Sequence, residues 1–208
     1  ETSIPPDIDF LPRPILGWFG VVDERVDYHL LAEVARMHRN WSIAVVGPVV
    51  KIDPNLLPHA PNLHWLGGRD YSVLPNYCRA FDVNMMAFAI NKATEFINPT
   101  KALEYMATGK PIVSTPVKDV VRQYTDIVSL ANTPEQFAEA AWQALSNPDP
   151  KKIQAGLDLA KKNSWEGHVA SMRGNIKDAI NVSGRRSSNI TPMPDPEPGY
   201  FFKHTQGS

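Results

Sequence analysis

Short apolar runs alternate with amphipathic stretches through most of this chain. Ile15-Leu16-Gly17-Trp18-Phe19-Gly20 is apolar without two-residue alternation, which marks a strand covered on both faces. Tyr28 to His38 sets Leu30, Leu31, Val34 and Met37 at helical spacing and predicts an amphipathic helix. Trp41 to Val46 predicts a second strand ending at Gly47-Pro48, and Asn62 to Leu66 a third ending at Gly67-Gly68. A helix over Tyr71 to Phe81, a strand over Val83 to Phe88, a helix from Asn98, a strand from Ile112 and a strand over Ile127 to Leu130 follow. Thr133-Pro134-Glu135-Gln136 writes a helix start: an N-cap hydroxyl, proline at the first helical position, and glutamine where a capping box places it. The last helices run through Trp142 and Ala160 to about Ile180, with breaks at Pro148-Asp149-Pro150 and near Ser164.

Apolar strands alternating with helices predict an α/β fold: a doubly wound, mostly parallel sheet of about six strands with helices on both faces. Ligands of such sheets bind beyond the carboxyl ends of the strands. The loops Gly20 to Asp27, Gly47 to Asp53, Gly67 to Tyr71 and Phe88 to Asn98 therefore share one rim. Gly20, Gly47, Gly67 and Gly68 stand at strand ends, where tight turns need glycine whether or not a ligand approaches. Gly17-Trp18-Phe19-Gly20 does not match G-x-G-x-x-G, and no acidic residue ends the second strand, which argues against a nicotinamide dinucleotide.

The helix from Asn98 has both ends written out. Asn98 is an N-cap, Pro99 suits the first helical position, Gly109 supplies a left-handed C′ residue, and Pro111 leads into the next strand. At about 100° per residue, Ala102, Leu103, Met106 and Ala107 fall on one side. Thr100, Lys101, Glu104, Tyr105 and Thr108 fall on the other. The first turn thus offers free N–H groups, the positive end of the helix dipole and a lysine, with a carboxylate one turn on. Two readings follow: a phosphate at the first turn with two hydroxyls on Glu104, as in a nucleoside diphosphate, or a solvated Lys101–Glu104 ion pair.

Composition narrows the field without deciding it. The chain has 208 residues and a formal net charge of −1, so it offers no broad basic face for nucleic acid. No apolar run approaches the ~20 residues that span a bilayer, and no secretory leader is seen. Cys78, the only cysteine, excludes an intrachain disulfide and reads as a small core residue. The histidines lack ligand spacing and the one Asp-x-Asp, Asp7-Ile8-Asp9, falls in the Pro-rich opening segment away from the strand-end loops, so no metal is expected. Met85, Met86, Trp18, Trp41, Trp65 and Trp142 read as core, and Lys151, Lys152, Lys161 and Lys162 as a solvated helix face. The chain opens at Glu1, and its Pro-rich residues 1–14 read as a linker from a missing N-terminal domain. Residues 15–182 form the folded domain, and 183–208 read as a flexible tail around Tyr200-Phe201-Phe202.

From about Arg13 to Ile180 the chain resembles the C-terminal, nucleotide-sugar-binding domain of GT-B glycosyltransferases of the family-four retaining type. The likeness is sharpest over Asn98 to Pro111, which matches a bacterial pattern N-P-x-K-x-x-E-Y-x-A-x-G-K-P. Gly20 with Arg25, Val46-Gly47-Pro48, Leu63 to Gly67, and Ser164-Trp165 support it. The resemblance implies that Glu104 holds the donor's ribose as the second glutamate of E-x7-E, that Asn98, Pro99, Thr100 and Lys101 meet the diphosphate, and that Arg25 lies on the phosphates. A second basic residue of that loop is replaced by Val21, so either one phosphate contact is missing or Lys101 supplies it. Phe96 takes the place of the first motif glutamate; Glu95, one residue earlier, either reaches the donor sugar through a loop insertion or is a solvated loop acid. The nucleobase is expected against the Gly67 to Tyr71 loop, near Arg69 and Tyr71.

The implied chemistry moves a sugar from a nucleoside diphosphate to an acceptor hydroxyl, with retention, in glycan or polysaccharide synthesis. Without a metal, Arg25, Lys101 and the helix N-terminus would stabilise the departing diphosphate, with Glu95 as a further catalytic candidate. The acceptor would be bound by the absent N-terminal half, so the fragment is expected to bind nucleotide sugar weakly and turn nothing over. The full-length enzyme is expected in the cytoplasm, at the inner face of the membrane if its acceptor is lipid-borne. A sugar-nucleotide epimerase of the same fold and a non-enzymatic α/β interaction module are the rival readings.

Overall fold

The computed structural model describes residues 3–97 and 100–163. Its centre is a six-stranded sheet of β1 (Ile15–Phe19), β2 (Ser42–Val46), β3 (Leu63–Gly67), β4 (Val83–Met86), β5 (Ile112–Ser114) and β6 (Ser129–Leu130). The spatial order is β3-β2-β1-β4-β5-β6, and every neighbouring pair is parallel. β1, β2, β4 and β5 are buried along their whole length, which explains why they are continuous apolar runs and not alternating ones. The helices are α1 (Pro6–Asp9), α2 (Tyr28–Met37), α3 (Leu74–Ala80), α4 (Thr100–Ala107), α5 (Lys118–Tyr124), α6 (Pro134–Ser146) and α7 (Pro150–Lys162). Strand order reverses direction at β1, so right-handed crossovers send α2 to one face and α3, α4 and α5 to the other. α6 packs beside α2 and α7 beside α4, completing the two layers.

The punctuation residues act as their chemistry requires. The Thr133 hydroxyl accepts from the Gln136 N–H at 3.3 Å, and the Gln136 amide oxygen accepts in return from Asn132 N–H at 2.9 Å. Asp149 caps α7 by accepting from the N–H groups of Lys151 and Lys152. Gly109 takes φ +68 and ends α4, as its place in the sequence requires.

Several expectations are corrected. The helix over Tyr71 to Phe81 begins as a 3-10 turn at Tyr71–Val73, capped by Asp70, and becomes α-helical only at Leu74. β4 stops at Met86, because Thr115 takes over the Phe88 N–H through its hydroxyl at 3.0 Å. On α4, Tyr105 is fully buried while Ala107 is exposed, the reverse of the assignment made from helical angle alone. The Tyr105 phenol accepts a 2.8 Å hydrogen bond from Phe19 N–H, and its ring meets Phe19 edge-on. Trp142, expected in the core, is 49% exposed, whereas Trp18, Trp41, Met85 and Met86 are buried. Within residues 1–14, α1 buries Ile8 completely and Leu11 follows it into the core. The N-cap and first residue expected for α4, Asn98 and Pro99, lie outside the described residues, as do Ser164-Trp165 and the expected tail.

Candidate functional site

In a sheet of order 3-2-1-4-5-6 the crevice lies where the order reverses, between β1 and β4 at their carboxyl ends. β1 and β4 are paired only at Leu16–Val83 and Gly17–Asn84, and beyond that they part. The Tyr105 phenol satisfies the Phe19 amide freed by the parting. α4 therefore enters the crevice already anchored to β1.

The loop after β1 spans the gap and is fastened on both sides. Gly20 and Val22 donate to Val46 O and Pro48 O, and on the far side Asp27 donates to Ala87 O while Arg25 O accepts from Ala89 N–H. Gly20 needs its glycine twice over: φ is +128, and a Cβ there would lie 2.5 Å from the Lys101 Nζ. A Cβ on Gly47 would fall onto the Gly20 carbonyl oxygen. The two glycines are thus the condition for β1 and β2 to turn together into the rim.

Gly20, Val21, Arg25, Trp18, Phe88, Ile97, Thr100 and Lys101 line a pocket of about 210 Å³. Arg25 is held there by a two-pronged pair with Asp23, its Nη2 2.6 Å from Oδ2 and its Nε 2.9 Å from Oδ1. Asp23 is buried, which by itself opposes its ionisation. Hydrogen bonds from the Arg25 side chain and backbone outweigh that and hold its carboxyl below the usual range. Lys101 is folded inward, with Nζ 3.5 Å from the Trp18 ring centroid and within 6 Å of the Phe19 and Phe88 rings. Burial lowers its pKa to about 7; Glu104 and Asp23 pull it up and Arg25 pushes it further down. No carboxylate among the described residues lies within ion-pair distance of Lys101, so the solvated Lys101–Glu104 pair is not what forms. The cation sits over aromatic faces and points at the pocket.

Glu104 accepts a 2.5 Å hydrogen bond from the Tyr71 hydroxyl, which raises the tyrosine's pKa. The pair stands at the mouth of a groove of about 610 Å³ between α3 and α4, lined by Leu74, Pro75, Cys78 and Thr108. Burial pushes the Cys78 thiol up to about 12, so it is an inert wall residue. Thr100 is exposed at the start of α4.

The structure thus gathers Gly20, Arg25, Thr100 and Lys101 around one pocket, with Glu104 one turn along the same helix. It does not bring Glu95 or Arg69 there. Glu95 pairs with Lys118 at 2.7 Å in a separate hollow beside Asn91 and Val117. Arg69 donates to the Tyr77 hydroxyl at 2.6 Å and to Asp7 at 2.7 Å, tying the loop after β3 to α1. Gly67 has φ +73 and its carbonyl accepts from Gly47 N–H, which makes it a turn residue of the same rim. Asp23 was not singled out by sequence, Tyr71 was expected near the nucleobase and not as the partner of Glu104, and Trp18 was expected only as core. Asp23 two residues before Arg25 was the available signal, since an arginine in an apolar crevice needs a carboxylate to hold it. Among the described residues no group of three or more His, Cys, Asp or Glu side chains gathers as a metal site, and no helix is long and apolar enough to cross a membrane.

With that geometry in view, the profile of the family Glycosyl transferases group 1 matches residues 13–147, well over half of the chain. The chain belongs to this family. It is 25% identical over 162 residues to TuaH of Bacillus subtilis (strain 168), provisionally named as a teichuronic acid biosynthesis glycosyltransferase. That match covers 73% of this chain and 40% of TuaH. Among solved structures, Anabaena HepE in complex with UDP and glucose superposes with a TM-score of 0.63 at 14% identity, covering 86% of this chain and 53% of HepE. Sucrose-phosphate synthase of Thermosynechococcus elongatus gives 0.59 at 16% identity, covering 82% and 46%. The chain therefore spans about half the length of these relatives or less. The family member's sheet and helices form the Rossmann-like half of a GT-B glycosyltransferase fold.

Proposed function

We propose that this glycosyltransferase-family chain is the donor-binding half of a retaining, family-four-type enzyme that moves a sugar from a nucleoside diphosphate sugar to an acceptor hydroxyl in glycan or polysaccharide synthesis. The observation that carries the reading is Lys101: a cation folded into the switch-point crevice with no ion-pair partner among the described residues, next to Arg25 and the first turn of α4. Such an arrangement is costly for a free surface and suited to a diphosphate. Lys101 and Arg25 would carry the charge that develops on the departing diphosphate, so the chain's own cations would take the electrostatic role. Glu104, already oriented by Tyr71, would accept from ribose hydroxyls. HepE, whose fold this chain shares and which is solved both with UDP and glucose and with UDP-glucose, favours uridine as the base. Glu95 would reach the sugar only by leaving Lys118. Acceptor binding would fall to a further domain, so the chain alone would bind donor without transferring it, and the complete enzyme would work in the cytoplasm, at the inner membrane face for a lipid-borne acceptor.

The test is a thermal-shift comparison of UDP, UDP-glucose and uridine with the parent and Glu104→Ala proteins. Ligand at about a hundred times its Kd stabilises by about 2.7 kcal/mol, a shift of several degrees for a domain of this size. UDP and UDP-glucose are expected to raise the melting temperature of the parent, uridine to do far less, and Glu104→Ala to lose most of the response while keeping its own melting temperature. Equal shifts with uridine and UDP would place recognition outside the diphosphate pocket and contradict the reading.

A further inference from the structure

Trp18 is 1% exposed, and its Nε1–H has no hydrogen-bond partner among the described residues. Buried donors are almost always satisfied, and a tryptophan placed in a core normally finds an acceptor for its N–H. A phenylalanine would pack in the same apolar surroundings, edge-on to Phe88 at 5.2 Å, without that unmet donor. Its location gives the donor a use. Trp18 lines the same pocket as Arg25 and Lys101, and Nε1 lies 4.0 Å from the point where a Gly20 side chain would begin. Lys101 Nζ lies 2.5 Å from that same point and 3.5 Å from the indole centroid. One neutral donor and one cation therefore flank a space that Gly20 leaves open.

We propose that Trp18 is a donor-binding residue whose Nε1–H is held for a diphosphate oxygen of the nucleotide, with Lys101 converging on the same group. This rests on the donor-site reading above and adds to it a ligand contact that comes from the strand itself and not from the loop or helix. An anionic oxygen suits the position because it accepts from a neutral N–H and a cation at once. It also accounts for the choice of an indole: the ring supports the lysine through its face while its edge supplies the donor.

The experiment measures UDP binding by calorimetry and ligand-free melting temperature for the parent and Trp18→Phe. Phenylalanine keeps an aromatic face under Lys101 and removes the donor together with one ring of the indole. The expected result is UDP affinity about tenfold weaker or more, while the ligand-free melting temperature falls only modestly, because removing an unsatisfied buried donor offsets part of the cost of the space the smaller ring leaves. A lowered melting temperature with UDP affinity within twofold of the parent would assign Trp18 to packing alone and overturn the proposal. Failure of the parent itself to bind UDP would instead overturn the donor-site reading, and Trp18's role with it. Should Trp18→Phe not fold, the indole N–H resonance of Trp18 in the parent decides. It is expected to move downfield with UDP and not with uridine, and an unmoved resonance in a UDP-bound protein would overturn the assignment.

Discussion

Lys101→Met is expected to weaken UDP-glucose binding by about ten- to a hundredfold, the range for losing a charge-assisted hydrogen bond, and at the same time to raise the melting temperature of the ligand-free chain. The two effects share one cause. Burial holds the Lys101 ammonium at a pKa of about 7, whereas in the unfolded chain the group keeps its proton to about 10.4. Between those values the unfolded chain binds a proton that the folded chain does not, so stability rises with pH across that window. Below pH 7 both states are charged, and the folded state bears the full cost of the buried cation. Methionine fills the same space over Trp18 without charge, so its stabilising effect should be greatest at pH 6, fade as pH rises toward 10 and vanish above it. Binding shows the opposite face of the same linkage. A diphosphate favours charged Lys101, so parent affinity for UDP-glucose should be highest below pH 7 and fall as pH rises through it. Glu104, Asp23 and Arg25 are the other charges that act on Lys101, and all are kept in the variant. Melting curves and calorimetry at pH 6 and pH 9 check both signs, and a variant whose affinity and pH slope match the parent would remove Lys101 from the site.

Gly47→Ala is expected to have the largest effect on the scaffold. Its Cβ would fall onto the Gly20 carbonyl oxygen, which is backbone and cannot rotate away. Gly20 is fixed by its N–H to Val46 O at 2.8 Å, and Val22 by its N–H to Pro48 O at 2.9 Å. Relief therefore requires the loop after β1 to lift off β2. The cost should be about 3 kcal/mol, at the upper end of ordinary overpacking, with nucleotide binding lost because the same loop carries Asp23 and Arg25. Gly68→Ala is the control, since its Cβ would come no closer than 3.4 Å to Pro48 and its backbone is not left-handed. Urea unfolding of the two variants should separate them clearly. Near-equal losses would mean that the Gly20–Gly47 contact is not what shapes the rim.

These positions also show how far the sequence could be read. Strands buried on both faces announce themselves as apolar runs, so β1, β2 and β4 and their shared rim were legible from the pattern of apolar positions, and the caps at Thr133 and Gly109 from local chemistry. Lys101 and Glu104 were legible as residues but not as an arrangement. Helical angle puts Tyr105 beside them on a polar face, because a phenol counts as polar until a partner is known. Only the parting of β1 and β4, which leaves the Phe19 amide in need of an acceptor, turns Tyr105 into the core. Arg69 illustrates the same limit in reverse: its bond to Asp7 joins residues far apart in sequence, and no spacing rule foretells it. Trp18 reads as core and is core; the unmet donor on its edge exists only in three dimensions.

The central claim is that a nucleoside diphosphate binds in the crevice between β1 and β4. A crystal structure of the chain with UDP tests it most directly. Diphosphate oxygens are expected within hydrogen-bond distance of Lys101 Nζ and the first turn of α4, with ribose hydroxyls on the Glu104 carboxylate. UDP bound elsewhere, or bound with Lys101 still lying on the Trp18 ring and touching no phosphate, would contradict it.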